Sequence, residues 1–245
     1  MNIVRFECIG NVSTKVLGMK KRIQNNFFYL LGGLLFLFVL TPALHLFAGT
    51  AMEVKLLRSL LLVTFSLFTV ISVWSLYREG VIFLIGLGLA GLNIVIAVSA
   101  LFFHARAIEL CSVALVMLFS GLSCYIAGRH VFSWRETDVN CLTGAVCVYL
   151  LLGLIWALLY ELLAFLWPIG MFQGLTAQEN SFQFDSFLYF SFVTLTTAGY
   201  GDITPLNPMA RTIAYLEMIT GQFYMAILVS GLVAHFMGLR MSDHK

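Results

Sequence analysis

Six long apolar stretches, separated by short polar segments, dominate the pattern of this chain. They cover approximately residues 27–47, 56–77, 81–103, 107–128, 139–166 and 209–238. Each is close to the ~20 residues that an α-helix needs to cross a lipid bilayer. The pattern therefore predicts an all-α membrane protein with six transmembrane helices and the lipid bilayer as its surroundings.

Composition supports this class and narrows the function. The chain is 60% hydrophobic and 11% charged, whereas a soluble domain carries ~25% charged residues. A net charge of +2 without a basic tract predicts no nucleic-acid partner. The five cysteines lack the paired spacing of a metal or redox motif, and no nucleophile–base cluster appears, so we expect neither an enzyme nor a cofactor. A secondary transporter is disfavoured, because we find no inverted repeat and no carboxylate deep in the spans.

The distribution of basic residues predicts the orientation. Residues 1–26 are polar and basic, and the apolar run after them exceeds the ~7–15 residues of a signal-peptide core, so they are expected to be cytoplasmic. With that start, the fourteen basic residues divide into ten inside and four outside. We therefore expect a multi-pass protein of the cell membrane with both termini in the cytoplasm and the loop 167–208 on the outer side.

That loop holds the most informative stretch, Thr194-Leu195-Thr196-Thr197-Ala198-Gly199-Tyr200-Gly201-Asp202. Asp185, at the start of the segment before it, suits the N-cap or first turn of a short helix. Non-helical backbone at membrane depth persists only where it lines a cavity or is covered by protein. Gly199 and Gly201 allow successive carbonyls to point the same way. Four such loops around one axis form stacked rings of oxygens that replace the water shell of a potassium ion.

These nine residues resemble the selectivity filter of tetrameric potassium channels, and the stretch from Gly221 to Val229 resembles the inner helix of bacterial channels with two-helix pores. The resemblance implies a pore domain over residues 139–240, with an outer helix at 139–166, a pore helix at 185–196, a filter at 197–202 and an inner helix at 209–238.

The resemblance also implies residue roles. Carbonyls of Thr197, Ala198, Gly199 and Tyr200 bind K+, the Thr197 hydroxyl completes the innermost site, Gly201 permits the outer bend, and Asp202 lies at the mouth. The Tyr200 side chain is expected to pack on the pore helix. The pore-helix residues expected to support the filter are Asp185, Phe190, Val193, Thr194 and Thr196.

Two departures from the family pattern affect these expectations. Ala198 replaces the usual Val or Ile, which predicts a softer filter that still prefers potassium. Tyr189 and Phe190 replace a Trp pair, and because Phe190 cannot donate a hydrogen bond to Asp202, the usual clamp on the outer filter is in doubt. Glu161 is expected either to tie down the filter loop or to be a solvated interfacial acid.

Gly221 follows Gly199 by 22 residues, the spacing that locates the inner-helix hinge in related channels. Glycine there permits bending or close packing.

Residues 27–128 are predicted to form a peripheral four-helix domain that does not sense voltage. Its fourth span has no Arg or Lys from Ala107 to Ala127, whereas a voltage sensor moves several charges through the membrane field. The domain is expected to be a scaffold or to bind a lipid or a small ligand. The linker 129–138 is either an amphipathic helix along the inner interface or a Trp-anchored loop.

The expected function is a passive, potassium-selective channel, formed as a homotetramer because one filter per chain cannot enclose an ion. Potassium is then the permeant ligand and no other cofactor is implied. Two alternatives remain: a pore-loop subunit or regulator that functions only in a hetero-assembly, and a weakly selective monovalent cation channel.

Overall fold

Helices make up most of the chain in this computed structural model. The residues that the structure describes are 26–47, 54–75, 80–102, 106–131, 139–167, 171–175 and 183–242. The helices are α1 Asn26–Phe47, α2 Val54–Ser75, α3 Gly80–Phe102, α4 Arg106–Val131, α5 Val139–Leu166, α6 Phe184–Leu195 and α7 Pro208–Ser242. Two short strands, β1 Phe172–Gln173 and β2 Thr204–Pro205, pair antiparallel.

A helix occupies each of the six apolar stretches, and the prediction of a mostly helical chain is confirmed. Three helical stretches are long and apolar enough to cross a membrane within the part whose side chains are described: Ala107–Arg129, Asn140–Leu166 and Pro208–Gly231. The count of six membrane spans stays a prediction. The N-terminal segment 1–25 and most of the interfacial linker, residues 132–138, lie outside the described residues.

The helices around the candidate filter have clear local start and stop signals. The Asn207 side chain accepts a hydrogen bond from the Met209 backbone N–H at 2.8 Å, which caps α7. Pro208 is the first helical residue, where its missing N–H costs nothing. Helix α5 ends at Leu166, two residues before Pro168, and a residue that precedes proline disfavours helix.

One core joins the peripheral helices to α5, α6 and α7 of the same chain. Buried side chains from both parts form a contiguous cluster that includes Leu34, Val116, Leu151, Leu154 and Tyr224. Gly144 of α5 faces α1 and α4, because a Cβ there would lie 3.5 Å from the Phe27 ring and 3.2 Å from a Val131 methyl group. Helices α1 to α4 therefore pack on α5, α6 and α7 of their own chain.

Helix α6 is seated by aromatic contacts from α1 and α2 as well as by α5. Phe192 lies 5.4 Å from Phe38, and Phe184 lies 4.9 Å from Phe65, measured between ring centroids. The Phe192 ring also fills the space over Gly153 on α5, where a Cβ would be only 2.7 Å away. These contacts hold the short helix firmly, so the loop that follows it starts from a defined position.

Candidate ion-binding loop

The start of α6 is anchored to α5 through Glu161. The Gln183 backbone N–H donates a hydrogen bond of 3.4 Å to the Glu161 carboxylate, and Glu161 is buried. The alternative of a solvated interfacial acid is therefore wrong. Asp185 lies in the first turn, as expected, but the N-cap position belongs to Gln183, which makes no side-chain cap.

Beyond the end of α6, the chain folds back onto the helix through its amide groups. The N–H of Thr197 donates to the Thr194 carbonyl at 2.9 Å, and those of Ala198 and Gly199 donate to the Val193 carbonyl at 2.9 and 3.3 Å. No hydrogen bond in the described part of the chain uses the carbonyl oxygens of Thr197 to Tyr200. Val193 and Thr194 thus support the loop through their backbone carbonyls. The carbonyl groups of the loop itself remain available to coordinate an ion.

This backbone runs through the left-handed region at three positions. Gly199 has φ +58 and Gly201 has φ +81, values that glycine tolerates. Thr197 has φ +60, which is exceptional for a β-branched residue. Strain of this kind persists only where surrounding contacts impose it, and it concentrates at functional sites.

The whole loop from Thr196 to Asp202 is exposed on a single chain, although the helix before it is mostly buried. The Thr196 hydroxyl bonds back to Phe192 O at 2.6 Å and so completes the last turn of α6. The Tyr200 side chain is 73% exposed. The expected packing of Tyr200 on the pore helix is therefore not made within one chain.

On the inner side, α7 closely approaches the start of the loop. A Cβ on Gly221 would lie 2.2 Å from the Leu195 carbonyl oxygen, so glycine is required for contact between the helices. The next residue, Gln222, places its side-chain amide 3.3 Å from the Thr197 hydroxyl. Of the two properties expected of Gly221, close packing accounts for its position; the hinge stays a prediction.

At the end of the loop, Asp202 interacts with Tyr189 of α6. The hydroxyl of Tyr189 donates a hydrogen bond to the Asp202 carboxylate, and this bond holds the pKa of Asp202 below its ordinary value. The residue of the pair that reaches Asp202 is thus Tyr189, and Phe190, as expected, makes no hydrogen bond to it. Phe190 is buried and packs 5.0 Å from the Tyr160 ring.

We expect Tyr189→Phe to raise the pKa of Asp202 toward its ordinary value, because the bond that favours the charged form is lost. The negative charge at Asp202 then disappears at a higher pH as the solution is acidified. A ¹³C titration of the Asp202 carboxyl group in nanodiscs measures the shift. Tyr215→Phe, which removes an exposed hydroxyl from α7, is the control; equal titration curves for both variants would contradict the clamp.

The two-stranded sheet holds the outer end of the loop. The Leu206 N–H donates to the Met171 carbonyl at 2.9 Å, and Arg211 Nε donates to Pro205 O at 3.0 Å. Gly174, with φ +90, lies so close to Asp202 that a Cβ would be 1.8 Å from its carbonyl oxygen. Sequence reasoning missed this support, since Gly174 is far from the motif along the chain.

A buried carboxyl group behind the loop was also missed. Glu217 of α7 is fully buried, and its oxygens lie 2.6 Å from the Tyr160 hydroxyl and 2.5 Å from the Ser191 hydroxyl. The expectation that no carboxylate lies deep in the spans is therefore wrong. An acidic residue inside an apolar stretch was the signal that could have revealed it.

Comparisons with known proteins agree with this geometry. Residues 144–237 match a family model described as "Ion channel". This stretch contains most of α5, the whole of α6, the exposed loop and most of α7. The part of the chain that forms the candidate site is therefore similar to ion channels.

Curated relatives make the similarity more specific. Two pore potassium channel c of Oryza sativa subsp. japonica is 43% identical over 53 residues, which are 22% of this chain and 12% of that protein. Two-pore potassium channel 5 of Arabidopsis thaliana is 42% identical over 55 residues, 22% of this chain and 14% of its own length. Two-pore potassium channel 4 of the same plant is 28% identical over 106 residues, 43% of this chain and 37% of that protein.

The chain thus spans only between 12% and 37% of the length of these relatives. No solved structure shows a significant match to the chain. The matches support a potassium-channel family for this region, and they point to a membrane channel rather than an enzyme.

Proposed function

We propose that four copies of this chain form a passive, potassium-selective channel, with the Thr197–Gly201 backbone as its filter and Asp202 at its outer mouth. The observation that carries the proposal is that the amide groups and the carbonyl groups of this backbone differ in their hydrogen bonding. The amides of Thr197, Ala198 and Gly199 bond to α6, and the carbonyls of the loop accept no hydrogen bond in the described part of the chain. Unpaired carbonyls on a rigidly held loop suit the coordination of a dehydrated monovalent cation.

Exposure of the loop supports a fourfold assembly. One chain presents a single set of carbonyls, which cannot surround an ion, and closed rotational symmetry supplies the remaining sets at the same level. The Tyr200 side chain, 73% exposed on one chain, then finds its packing partner on a neighbouring copy. The named relatives are potassium channels, which favours K+ as the permeant ion.

Charge supports a cation pathway. Four copies of Asp202, whose charged form the bond with Tyr189 favours, attract cations from the outer solution. The C-terminal end of α6, which carries partial negative charge, is followed directly by Thr196 and Thr197. Helix α4 has no basic residue between Arg106, its first residue, and Arg129, so we propose a channel without a voltage sensor of the arginine type.

Ala198 favours a second candidate, a weakly selective monovalent cation channel. Its small, exposed side chain provides less packing behind the carbonyl ring than a valine does. Looser packing allows the carbonyl ring to contract around a smaller ion. The selectivity for K+ over Na+ is then lower.

Purified protein in liposomes distinguishes these functions. We expect ⁸⁶Rb+ uptake driven by a K+ gradient, and a reversal potential that follows K+ rather than Na+. Gly199→Ala, which forces a Cβ into φ +58, should lose the uptake, whereas Gly91→Ala, with no described atom within 4 Å of the new Cβ, should retain it. Equal permeation by K+ and Na+ would favour the weakly selective channel. Absence of flux from the wild type would contradict a channel formed by this chain alone and favour the hetero-assembly.

A further inference from the structure

Glu217 connects three helices of the pore domain. It belongs to α7, and its two oxygens contact the Tyr160 hydroxyl of α5 and the Ser191 hydroxyl of α6. Ser191 in turn lies 2.8 Å from the Gly153 carbonyl oxygen of α5. All three side chains, of Tyr160, Ser191 and Glu217, are fully buried.

The hydrogens available to these groups determine the form of the acid. A serine hydroxyl has one hydrogen to donate, and a backbone carbonyl can only accept. The contact between Ser191 and Gly153 therefore uses the serine hydrogen. The contact of 2.5 Å between Ser191 and Glu217 then needs a hydrogen from the carboxyl group. Tyr160 donates to the other carboxyl oxygen, so a neutral carboxylic acid satisfies every contact in the group.

The groups around Glu217 also favour the neutral acid. In the described part of the chain, the groups that contact the Glu217 oxygens are two hydroxyls and no basic side chain. An ionised carboxylate with no exposed surface and no cationic partner is strongly disfavoured, whereas a hydrogen-bonded neutral acid is tolerated.

The hydrogen-bonded group lies directly behind the filter. Ser191 is two residues before Val193 and three before Thr194, whose carbonyls hold the amides of Thr197, Ala198 and Gly199. A displacement of α6 against α5 or α7 is thus passed to the filter within one helical turn.

We propose that Glu217 is a neutral carboxylic acid that positions the pore helix, by donating to Ser191 and accepting from Tyr160. It is a positioning residue and does not touch the permeant ion. An effect of Glu217 on ion selectivity rests on the proposed channel function. The protonation state of Glu217 and its hydrogen bond to α6 do not depend on that function.

Infrared difference spectroscopy at neutral pH tests the protonation. We expect the wild-type minus Glu217→Gln spectrum to contain the carbonyl band of a protonated carboxylic acid, which an amide lacks. The band should be absent from the wild-type minus Thr212→Val spectrum, because that variant removes an α7 hydroxyl that donates to Pro208 O at 2.9 Å and keeps Glu217. Carboxylate bands in place of the protonated band would overturn the proposal.

Amide hydrogen exchange at Thr197, Ala198 and Gly199 tests the positioning. Glutamine keeps both bonds, since its amide group donates to Ser191 and its oxygen accepts from Tyr160. Glu217→Gln should therefore exchange like the wild type, whereas Glu217→Ala and Ser191→Ala should exchange about five- to thirtyfold faster, the factor for one lost buried hydrogen bond. Rapid exchange in Glu217→Gln, equal to that of Glu217→Ala, would overturn it.

The two proposals fail separately. Wild-type liposomes without ⁸⁶Rb+ uptake would refute the channel and leave the infrared and exchange results to decide the role of Glu217. If the channel conducts, Glu217→Ala should lower the K+/Na+ permeability ratio and Glu217→Gln should preserve it; the reverse order would contradict a positioning role.

Discussion

Gly221→Ala is expected to abolish potassium-selective flux and to destabilise the protein by about 1–3 kcal/mol, the usual cost of overpacking. The new Cβ would lie 2.2 Å from the Leu195 carbonyl oxygen and 3.1 Å from the Leu195 carbonyl carbon. These are backbone atoms at the end of α6, so the strain cannot be relieved by a change of rotamer. Either α7 or α6 must move, and the proposed filter starts two residues after Leu195.

The sign of the stability change in Gly221→Ala distinguishes close packing from bending as the role of Gly221. In a helix, alanine is favoured over glycine by roughly 1 kcal/mol, so a glycine needed only for bending should give a stabilised protein with altered gating. Thermal unfolding and ⁸⁶Rb+ flux of the same preparation measure both properties. The control is Gly91→Ala, at a helical glycine of α3 with open space around it. A Gly221→Ala protein that is more stable than the wild type would contradict close packing.

The second large effect is expected from Gly174→Ala on the outer side. Two costs combine there: φ of +90 is disfavoured for alanine by roughly 1–2 kcal/mol, and the Cβ would meet the Asp202 carbonyl oxygen at 1.8 Å. The backbone around Gly174 must then separate from Asp202, at the end of the proposed filter. We expect lower thermal stability and a lower K+/Na+ permeability ratio, measured from unfolding and from reversal potentials.

A conformational control identifies which cost matters. Gly201 also has a positive φ, +81, but a Cβ placed there would have no atom of the described residues within 4 Å. Gly201→Ala therefore carries the backbone strain without the contact with Asp202. Gly174→Ala should lose clearly more stability than Gly201→Ala, and equal losses would show that the approach of Gly174 to Asp202 is unimportant.

The positions of the helices and of the exposed loop that follows α6 could be predicted from the sequence. Apolar stretches of ~20 residues form helices in lipid because every backbone polar group must be paired within the segment. The loop from Thr194 to Asp202 was recognised by its glycine spacing, and two of the three residues with positive φ in this loop are glycines. These features depend on residues that are close together in the chain.

Which side chains meet behind the filter was decided by the tertiary structure. Tyr160, Ser191 and Glu217 come from three helices, and their contacts span 57 and 26 positions in the chain. The sequence predicts a helix at each of these positions. It does not show how these helices are oriented or how closely they approach one another. Packing of the helices determines that geometry. It places two hydroxyl groups and no basic side chain of the described residues on Glu217, and it brings Gly221 against Leu195. It also brings Tyr189 and Gly174 close to Asp202.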